Sequence, residues 1–290
     1  MNERCLKVND IGETGWFITG ASSGLGAQLA RTVIAHGGRV FGTVRSAEAL
    51  ERLVADAPQR AFGCRLDVRD EAAVGEAVAA AEEALGGIDV LVNNAGYQLV
   101  GAVEEISLAE LRAQFDVNVF GALAVLQAVL PGMRNRGSGT IVNISSVSGL
   151  AAWAGTGAYC ASKFALEALG ETLAQEVEPL GLRVMLVEPG GMRTGFTGRS
   201  MARARRRIEA YAGSAHTSED IIARYRGKEP GDPARAATAI LEAVCAPEPP
   251  LRLLLGADAM HYYGRKAGGL QADIARWAPL TLSIAADDGA

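Results

Sequence analysis

Residues 16–26 read WFITGASSGLG, and this stretch decides the fold. Its apolar start predicts a short strand over residues 16–19, and its glycine-rich part predicts a turn. A helical pattern through Leu29 and Val33 follows and stops at the glycines 37–38, which are a good helix terminator. A strand, a glycine-rich turn and a helix in this order form a cradle for a phosphate, and a plain glycine-rich loop is the alternative.

The three glycines of this turn have separate tasks in a dinucleotide-binding unit. Gly20 permits the tight turn, Gly24 lets a pyrophosphate approach the helix N-terminus, and Gly26 lets the helix pack closely on the strand. Serine hydroxyls beside them can donate further hydrogen bonds. The residues predicted to contact the cofactor here are Gly20, Ser22, Ser23, Gly24, Leu25 and Gly26.

Apolar runs and helical patterns alternate along the chain from this stretch to about residue 256. The alternation predicts an α/β fold, a single-domain, doubly wound parallel sheet of about seven strands with helices on both faces and right-handed crossovers. The predicted strands are residues 16–19, 39–44, 61–66, 88–92, 139–144, 182–187 and 251–255. The predicted parts are a dinucleotide-binding core (12–194), a helical lid insertion (195–230), a last helix and strand (231–256) and a tail (257–290).

A capping box, Ser107 with Glu110, predicts the start of a long helix. This helix is expected to run to about Leu130 and to end before Pro131. Asn118 lies inside it, although asparagine prefers caps and turns to helix interiors. Either the Asn118 side chain faces solvent, or it is a buried polar group with a task.

Loops after the other strands supply further candidate cofactor contacts. An NAD-binding fold has an acidic residue about 20 residues after the glycines, on the ribose 2′-hydroxyl. This chain has Val44 and Arg45 there, and an arginine can meet a 2′-phosphate, so we predict NADP(H) over NAD(H), with a solvated Arg45 as the alternative. Asp67 either accepts a hydrogen bond from an adenine or caps the helix that starts at Asp70. The other predicted contacts are Val68, Asn94, Ala95, Gly96, Tyr159, Lys163, Pro189, Gly190 and Thr194.

Residues 145–163 contain the candidate catalytic groups. Tyr159 and Lys163 are four residues apart, so on a helix they share one face. A free phenol has a pKa of about 10, and a nearby ammonium lowers that pKa because it favours the phenolate. A tyrosine tuned in this way can exchange a proton with an alcohol, and Ser146 could hydrogen-bond the same oxygen. A half-buried tyrosine beside a solvated lysine is the alternative.

Composition excludes several classes of protein. Of the 290 residues, 49% are hydrophobic, and the net charge of −5 argues against general nucleic-acid binding. Cys5, Cys64, Cys160 and Cys245 include no Cys-x-x-Cys pair, and we see no secretory signal and no apolar span of about 20 residues. We therefore expect reduced thiols, a cytoplasmic location and no membrane span. The three histidines have no metal-ligand spacing, so no metal is expected.

Residues 197–227 break the alternation and are predicted to contain no strand. An insertion just after a rim loop suits a lid over the substrate, and its apolar residues favour a hydrophobic substrate. The arginines of residues 203–207 are predicted to be a solvated helix face, with an anionic substrate or a partner as the alternative. The tail, which holds Tyr262 and Trp277, is predicted to pack on the body or on another subunit.

Together these motifs resemble those of the short-chain dehydrogenase/reductases over about residues 13–256, in the same order and on the same predicted elements. The matching features are Thr-Gly-x-x-x-Gly-x-Gly at residues 19–26, Asn-Asn-Ala-Gly at 93–96, Asn118 in a helix, Ser146, the Tyr-x-x-x-Lys pair of Tyr159 and Lys163, and Pro189-Gly190 with Thr194. The string YCASKFALE at 159–167 is similar to the hydroxysteroid and retinol dehydrogenase-like branch of that family.

The resemblance implies a single Rossmann-type domain and hydride transfer between a nicotinamide and a carbonyl or secondary alcohol. It implies that Tyr159 is the acid/base and that Ser146 holds the substrate oxygen. It also implies that Lys163 lowers the tyrosine pKa and bonds the nicotinamide ribose, and that Asn118 supports a water relay to the lysine. A homodimer or homotetramer is implied as well, often formed through the two long helices that hold Asn118 and Tyr159.

The expected function is an NADP(H)-dependent oxidoreductase that acts on a small hydrophobic ketone or alcohol. One alternative is a sensor or scaffold that binds NADP without turnover, and another is the same fold acting as a dehydratase or epimerase. A pure binder has no need to keep Asn118, Ser146, Tyr159 and Lys163 together, so their joint presence favours the enzyme.

Overall fold

The computed structural model describes residues 11–12, 14–198 and 200–285. Cys5 and the last five residues of the tail, for which expectations were stated above, lie outside the described residues. In the described part, Cys64, Cys160 and Cys245 are free thiols, so no disulfide joins them.

Seven strands form one parallel sheet, and two short strands form a second one. The strands are β1 (Gly15–Ile18), β2 (Arg39–Val44), β3 (Ala61–Arg65), β4 (Val90–Asn93), β5 (Gln98–Val100), β6 (Gly139–Ile144), β7 (Leu182–Pro189), β8 (Met201–Arg203) and β9 (Arg252–Leu255). The main sheet has the order β3-β2-β1-β4-β6-β7-β9, and every pair in it is parallel. The predicted seven-stranded, doubly wound α/β fold is confirmed.

Helices cover both faces of this sheet. The α-helices of the described residues are α1 (Gly24–Ala35), α2 (Ala47–Ala55), α3 (Glu71–Leu85), α4 (Leu108–Phe115), α5 (Ala122–Arg136), α6 (Gly157–Val177), α7 (Ala215–Tyr225), α8 (Pro233–Cys245) and α9 (Ala257–Leu282). One apolar cluster packs α1 and α8 against the sheet, and a second packs α3, α5 and α6 against the opposite face. Because both faces are covered, the inner strands β1, β4 and β7 are almost completely buried, as is usual in parallel sheets.

The long helix after Ser107 differs from its prediction at two places. The capping box of Ser107 and Glu110 is present, but residues Asp116–Gly121 form a π-helical turn between α4 and α5. The predicted end before Pro131 is wrong, because α5 continues through that residue to Arg136. Pro131 is exposed, so its ring lies on the solvent side of the helix, where a lost backbone hydrogen bond is replaced by water.

Residues Leu108–Arg136 form a helix that is long and apolar enough to cross a membrane by length and composition alone. Its residues Val125, Val129 and Met133 are fully buried against the sheet. A core helix of a globular domain passes the same test, so this finding is weak support for a span.

The insertion after β7 contains a strand, contrary to prediction. Strand β8 pairs in parallel with β5, which lies just after the Asn93–Gly96 loop, so both belong to the same side of the molecule. The predicted helix over the arginines 203–207 is also wrong, although these arginines are exposed as expected. Arg203 lies on β8 and approaches Glu219 of α7, and Arg206 approaches Glu104, so part of this basic run is ion-paired within the fold.

Candidate active site

A cleft of about 600 Å³ opens at the carboxyl ends of the central strands. Open parallel sheets bind ligands at this edge, where the strand order reverses. Sixteen of the predicted cofactor and catalytic residues line it, namely Gly20, Ser22, Ser23, Gly24, Leu25, Arg45, Asp67, Val68, Asn94, Ala95, Gly96, Tyr159, Lys163, Pro189, Gly190 and Thr194. Gly26, Asn118 and Ser146 are not part of its lining.

The glycine-rich turn has the backbone that a phosphate cradle needs. Gly20 and Gly24 have φ angles of +69° and +59°, a region that favours glycine. A Cβ atom on Gly20 would lie 3.0 Å from the Cα atom of Ala95. Ser23 precedes α1 and makes no side-chain hydrogen bond to the helix, so its hydroxyl and the first N–H groups are open to an anion. A pyrophosphate therefore fits here.

Gly26 has a packing role instead of the predicted cofactor contact. A Cβ atom there would lie 2.4 Å from Nδ2 of Asn94 and 2.7 Å from the carbonyl oxygen of Gly20. The absent side chain lets α1 approach the loop after β4, which matches the close-packing task expected of this glycine.

A dense hydrogen-bond network ties β1 to the loop after β4. Oγ1 of Thr19 accepts from the backbone N–H groups of Asn94 (2.9 Å) and Ala95 (3.0 Å). In return, Nδ2 of Asn94 donates to the carbonyl oxygens of Thr19 (2.9 Å) and Gly20 (3.1 Å). The floor of the cleft is thus fixed by four bonds between two strand ends.

Asn118 is buried within the π-helical turn, so its side chain is a buried polar group and does not face solvent. Its Oδ1 accepts from the N–H of Tyr97 (3.1 Å), and its Nδ2 donates to the carbonyl oxygen of Tyr97 (3.0 Å) and to Oγ of Ser162 (3.1 Å). The π turn adds one residue to the helix, which is a common way to aim a side chain at a functional site. Asn118 joins this helix to α6 and to the edge of the cleft.

Tyr159 and Lys163 lie on α6 and are both buried at the cleft. Nζ of Lys163 donates to the carbonyl oxygen of Ile144 at the end of β6 (2.7 Å) and lies 5.9 Å from the centre of the Tyr159 ring. The ring of Phe196 lies 5.8 Å from that of Tyr159, on the lid side. The pair therefore shares one face of the helix, as predicted.

The electrostatics of the pair differ from the prediction that Lys163 lowers the pKa of Tyr159. Burial raises the pKa of Tyr159 well above its usual value, and a hydrogen bond with Ser146 opposes this effect. Burial lowers the pKa of Lys163 to about 8, against the attraction of Glu167. Desolvation is the largest effect on Tyr159 because the phenol is almost completely removed from water.

Ser146 follows β6 and holds the loop that leads to α6. Its Oγ accepts from the N–H of Ser148 (3.1 Å) and donates to the carbonyl oxygen of Pro189 (3.4 Å). The serine therefore lies between the Tyr159 hydroxyl and the end of β7, at the edge of the cleft but outside its lining.

At the opposite end of the cleft, Arg45 is exposed and Asp67 is held by Arg69. Nε of Arg69 donates to both carboxylate oxygens of Asp67 (2.9 and 3.1 Å), and this contact lowers the pKa of Asp67. The alternative that Asp67 caps the next helix is wrong, because Asp70 accepts from the N–H of Ala73.

Several lining residues were missed by the sequence analysis. They are single apolar, aromatic or polar residues without a motif, and the lid supplies many of them. The principal ones are Thr43, Arg69, Tyr97, Met192, Phe196, Met201 and Ala202. Arg69, two residues after Asp67, is the one whose position beside a rim acid could have indicated its role.

A second charged cluster lies behind helix α6. Arg252 of β9 bonds Glu188 of β7 (3.0 Å) and also Glu167 of α6, one turn after Lys163. Glu188 is completely buried, and burial together with the Glu167 charge raises its pKa to about 7. Because two carboxylates share one guanidinium in this space, protonation of one of the carboxylates is favoured. Among the described residues, no group of three or more His, Cys, Asp or Glu side chains could hold a metal ion.

Comparisons with known proteins agree with this geometry. A family model described as short chain dehydrogenase matches residues 16–204. The oxidoreductase BOA17 of Botryotinia fuckeliana is 38% identical over 271 residues, which cover 93% of this chain and 98% of that protein. Human retinol dehydrogenase 8 is 42% identical over 194 residues, which cover 64% of this chain and 61% of that protein.

Solved structures show the same similarity. A short-chain dehydrogenase from Streptomyces avermitilis aligns with a TM-score of 0.89 and 41% identity, over 94% of this chain and 99% of that one. A short-chain dehydrogenase/reductase from Burkholderia phymatum, solved in complex with NAD, aligns with a TM-score of 0.79 and 27% identity, over 90% and 95% of the two chains.

Proposed function

The chain belongs to the short-chain dehydrogenase family, and from this membership we propose that it is an NADP(H)-dependent oxidoreductase that interconverts a hydrophobic ketone and its secondary alcohol. Membership itself supports a dehydrogenase or reductase that uses a nicotinamide cofactor. The finer proposal rests on one observation: a buried tyrosine lies beside a buried lysine in the same cleft as a phosphate-binding turn.

When bound, the cofactor supplies the hydride, and the protein supplies position and a proton. Gly20, Gly24 and Ser23 would hold the pyrophosphate, and Lys163 would bond the ribose beside the nicotinamide. Tyr159 would donate a proton to the oxygen of the reduced carbonyl while Ser146 bonds the same oxygen. Burial raises the pKa of Tyr159, so the phenol is protonated at neutral pH, which is the form that donates a proton.

Asn118 has a supporting role in this proposal. It holds both backbone groups of Tyr97 and the Ser162 hydroxyl, so it fixes the distance between α6 and the loop beside the cleft. A Cβ atom on Gly96 would lie 3.2 Å from Oδ1 of Asn118 and 3.8 Å from Nζ of Lys163, so backbone alone separates the amide from the lysine. A proton path to Lys163 through water would pass this point.

The preference for NADP(H) is supported by charge at the adenosine end of the cleft. Val44 and Arg45 stand where an NAD-binding fold has an acid, and the Asp67 carboxylate nearby is already neutralised by Arg69. An exposed arginine can then meet a 2′-phosphate in two parallel hydrogen bonds. NAD in the Burkholderia phymatum structure belongs to that protein and leaves the choice in this chain to experiment.

A hydrophobic substrate is supported by the lid side of the cleft. Phe196 packs near the Tyr159 ring, and Met192, Met201 and Ala202 also line this part. Pockets of this kind select ligands mainly by apolar contact, with a few polar groups that fix orientation.

The first test is NADPH oxidation by the purified full chain with a panel of aliphatic and cyclic ketones. Tyr159→Phe should lower kcat by at least ~100-fold and leave the Kd of NADPH nearly unchanged, because only the proton donor is lost. Tyr97→Phe is the matched control, since it removes another phenol of the same cleft and should keep most of the turnover. If Tyr159→Phe turns over like the wild type, Tyr159 is not the acid. If NADPH binds and no ketone is reduced, the sensor or scaffold is favoured.

The second test concerns the cofactor. Arg45→Glu should raise the KM for NADPH at least ~10-fold more than the KM for NADH, because the new carboxylate repels the 2′-phosphate. Arg52→Glu, an equal charge reversal on the exposed side of α2 and outside the cleft, should change both constants little. Equal effects of Arg45→Glu on the two cofactors would contradict the NADP(H) preference.

A further inference from the structure

The C-terminal helix α9 has an apolar face that nothing in the described chain covers. The helix has 26 residues, about 39 Å at 1.5 Å per residue, and most of its side chains are exposed. Only its start is attached to the body. There Asp258 accepts from the N–H of Gly191 (2.7 Å), and the ring of Tyr262 packs edge-on against Trp153 (5.3 Å). The rest of the helix extends away from the fold.

Six apolar side chains of α9 follow the spacing of a coiled coil, whereas the exposed Tyr262, Leu280 and Leu282 lie outside this repeat. The six are Met260, Tyr263, Ala267, Leu270, Ile274 and Trp277, separated by three, four, three, four and three residues. The five larger ones are between 41% and 67% exposed. A 3–4 repeat places its members on one narrow stripe of an α-helix, and this stripe fits a facing helix better than a flat or irregular surface.

Energetics also require a partner for this helix. Gly264, Gly268 and Gly269 lie in its middle, and each costs about 1 kcal/mol relative to alanine in an exposed helix. Most helical stability in proteins comes from packing of an apolar face, and this face has no packing in the described chain. A helix of this composition is therefore expected to be covered in the working protein.

We propose that α9 pairs antiparallel with α9 of a second copy of this chain. In that register Met260 packs against Trp277 of the second copy, Tyr263 against Ile274, and Ala267 against Leu270. Each of these layers occurs twice by symmetry. Every layer joins a larger side chain to a medium or small one, as knobs-into-holes packing requires.

The charges beside the stripe select this orientation. Lys266 and Asp273 both lie on the same side of it, in the positions that flank the apolar layers. When two copies run antiparallel in this register, Lys266 of one copy faces Asp273 of the other, and the contact occurs twice. In a parallel pair Lys266 would face Gln271 and Asp273 would face Ala278, so no opposite charges would meet.

A membrane surface fits the same helix less well. Helices that lie in the lipid interface carry a polar face rich in lysine and arginine. Along α9 the bases Arg265, Lys266 and Arg276 alternate with Asp258 and Asp273, so the net charge is small. Asp258 and Tyr262 also hold the start of the helix against the body, on a different side from the stripe.

The sharpest experiment exchanges the two flanking charges. Lys266→Asp alone and Asp273→Lys alone each place like charges opposite each other twice, so each should weaken self-association about tenfold. The double variant Lys266→Asp/Asp273→Lys restores opposite charges and should return the wild-type dissociation constant in sedimentation velocity over a dilution series of the full chain. Failure of the double variant to recover, when the single variants weaken assembly, overturns the antiparallel pairing.

A second experiment tests the apolar stripe itself. Ile274→Glu should reduce the mass of the oligomer, for example from a tetramer to a dimer. The reason is that the new carboxylate would be buried between the two paired α9 helices. Ala275→Glu adds the same charge one residue away, outside the stripe, and should leave the mass unchanged. Both substitutions are far from the cleft, so reductase turnover reports that the body is folded. The proposal is overturned if the Ile274→Glu variant assembles to the same mass as the wild type. It is also overturned if the wild-type full chain binds anionic phospholipid vesicles and does not self-associate.

Discussion

The two sides of the cleft are held together by different kinds of interaction. The phosphate side is fixed by backbone geometry: glycines that allow close approach, and bonds from Thr19 and Asn94 to main-chain atoms. The lid side is fixed by charged side chains that are far apart in sequence. Glu105 accepts from the N–H groups of Ala102 and Ile208 and bonds the buried ring of His216 at 2.7 Å.

This difference indicates what each side does in the proposed reaction. A rigid backbone cradle suits a constant ligand such as a pyrophosphate, which needs the same geometry in every catalytic cycle. A lid built on a few ion pairs can differ between relatives through a few substitutions, and substrate choice can vary with it. The stability of the lid side is also expected to depend on pH, because the pKa of its anchor Glu105 is lowered.

The largest expected effect comes from Glu105→Ala. The substitution leaves His216 and two buried N–H groups without a partner, and the loss of one member of such a buried network costs about 3–5 kcal/mol. We expect the KM for the ketone to rise strongly while the Kd of NADPH changes little. Glu104→Ala, next to it but exposed, is the control. Equal loss of ketone and NADPH binding would show that the two sides are not separate units.

The same anchor predicts the acid behaviour of the lid. Burial alone would raise the pKa of Glu105, but its hydrogen bonds from Ile208, Ala102 and His216 outweigh burial and lower the pKa to about 2. A lowered pKa stabilises the folded form above the unfolded value of about 4.5, and this stabilisation is lost as pH falls toward 2. Between pH 5 and 3 the wild type should therefore lose stability faster than Glu105→Gln in thermal unfolding. Parallel pH profiles of the two proteins would contradict this role.

A smaller effect is expected for Gly26→Ala on the phosphate side. Its Cβ atom would meet the Asn94 side chain and the Gly20 carbonyl oxygen, and overpacking of this kind costs about 2 kcal/mol. NADPH affinity should fall while the ketone KM at saturating NADPH stays close to the wild-type value. Gly75→Ala is the matched control, because a Cβ atom there meets nothing within 4 Å and should slightly stabilise helix α3. Unchanged NADPH affinity in Gly26→Ala would show that the close approach is not needed.

The smallest effect concerns Glu188, which belongs to neither side of the cleft and lies behind helix α6. Its pKa is raised to about 7, so its stabilising contribution is complete below about pH 4.5 and is lost as pH rises through 7. Glu188→Gln keeps the neutral form at every pH. Between pH 6 and 8.5 the wild type should lose about 1 kcal/mol more stability than this variant, since Arg252 partly compensates the charge. A constant difference between the two unfolding profiles would contradict this assignment.

The amino-acid sequence alone determined the local units of the fold. Strands β2 and β6 have the predicted bounds, because each is a short apolar run bounded by residues that break it. The main residues of the site were predicted from local sequence patterns as well. Tyr159 and Lys163 share a helix face through their spacing, and Gly20 and Gly24 mark a turn that only glycine adopts readily.

Tertiary structure decided everything that depends on residues distant in sequence. Strand β8 pairs with β5 across about 100 residues, and Glu105 meets His216 over a separation of 111, so no local pattern announces either contact. The pKa of Tyr159 belongs here too, because its direction depends on how completely the fold removes the phenol from water. Local patterns record only the preferences of neighbouring residues, whereas burial and long-range pairing exist only once the chain has folded.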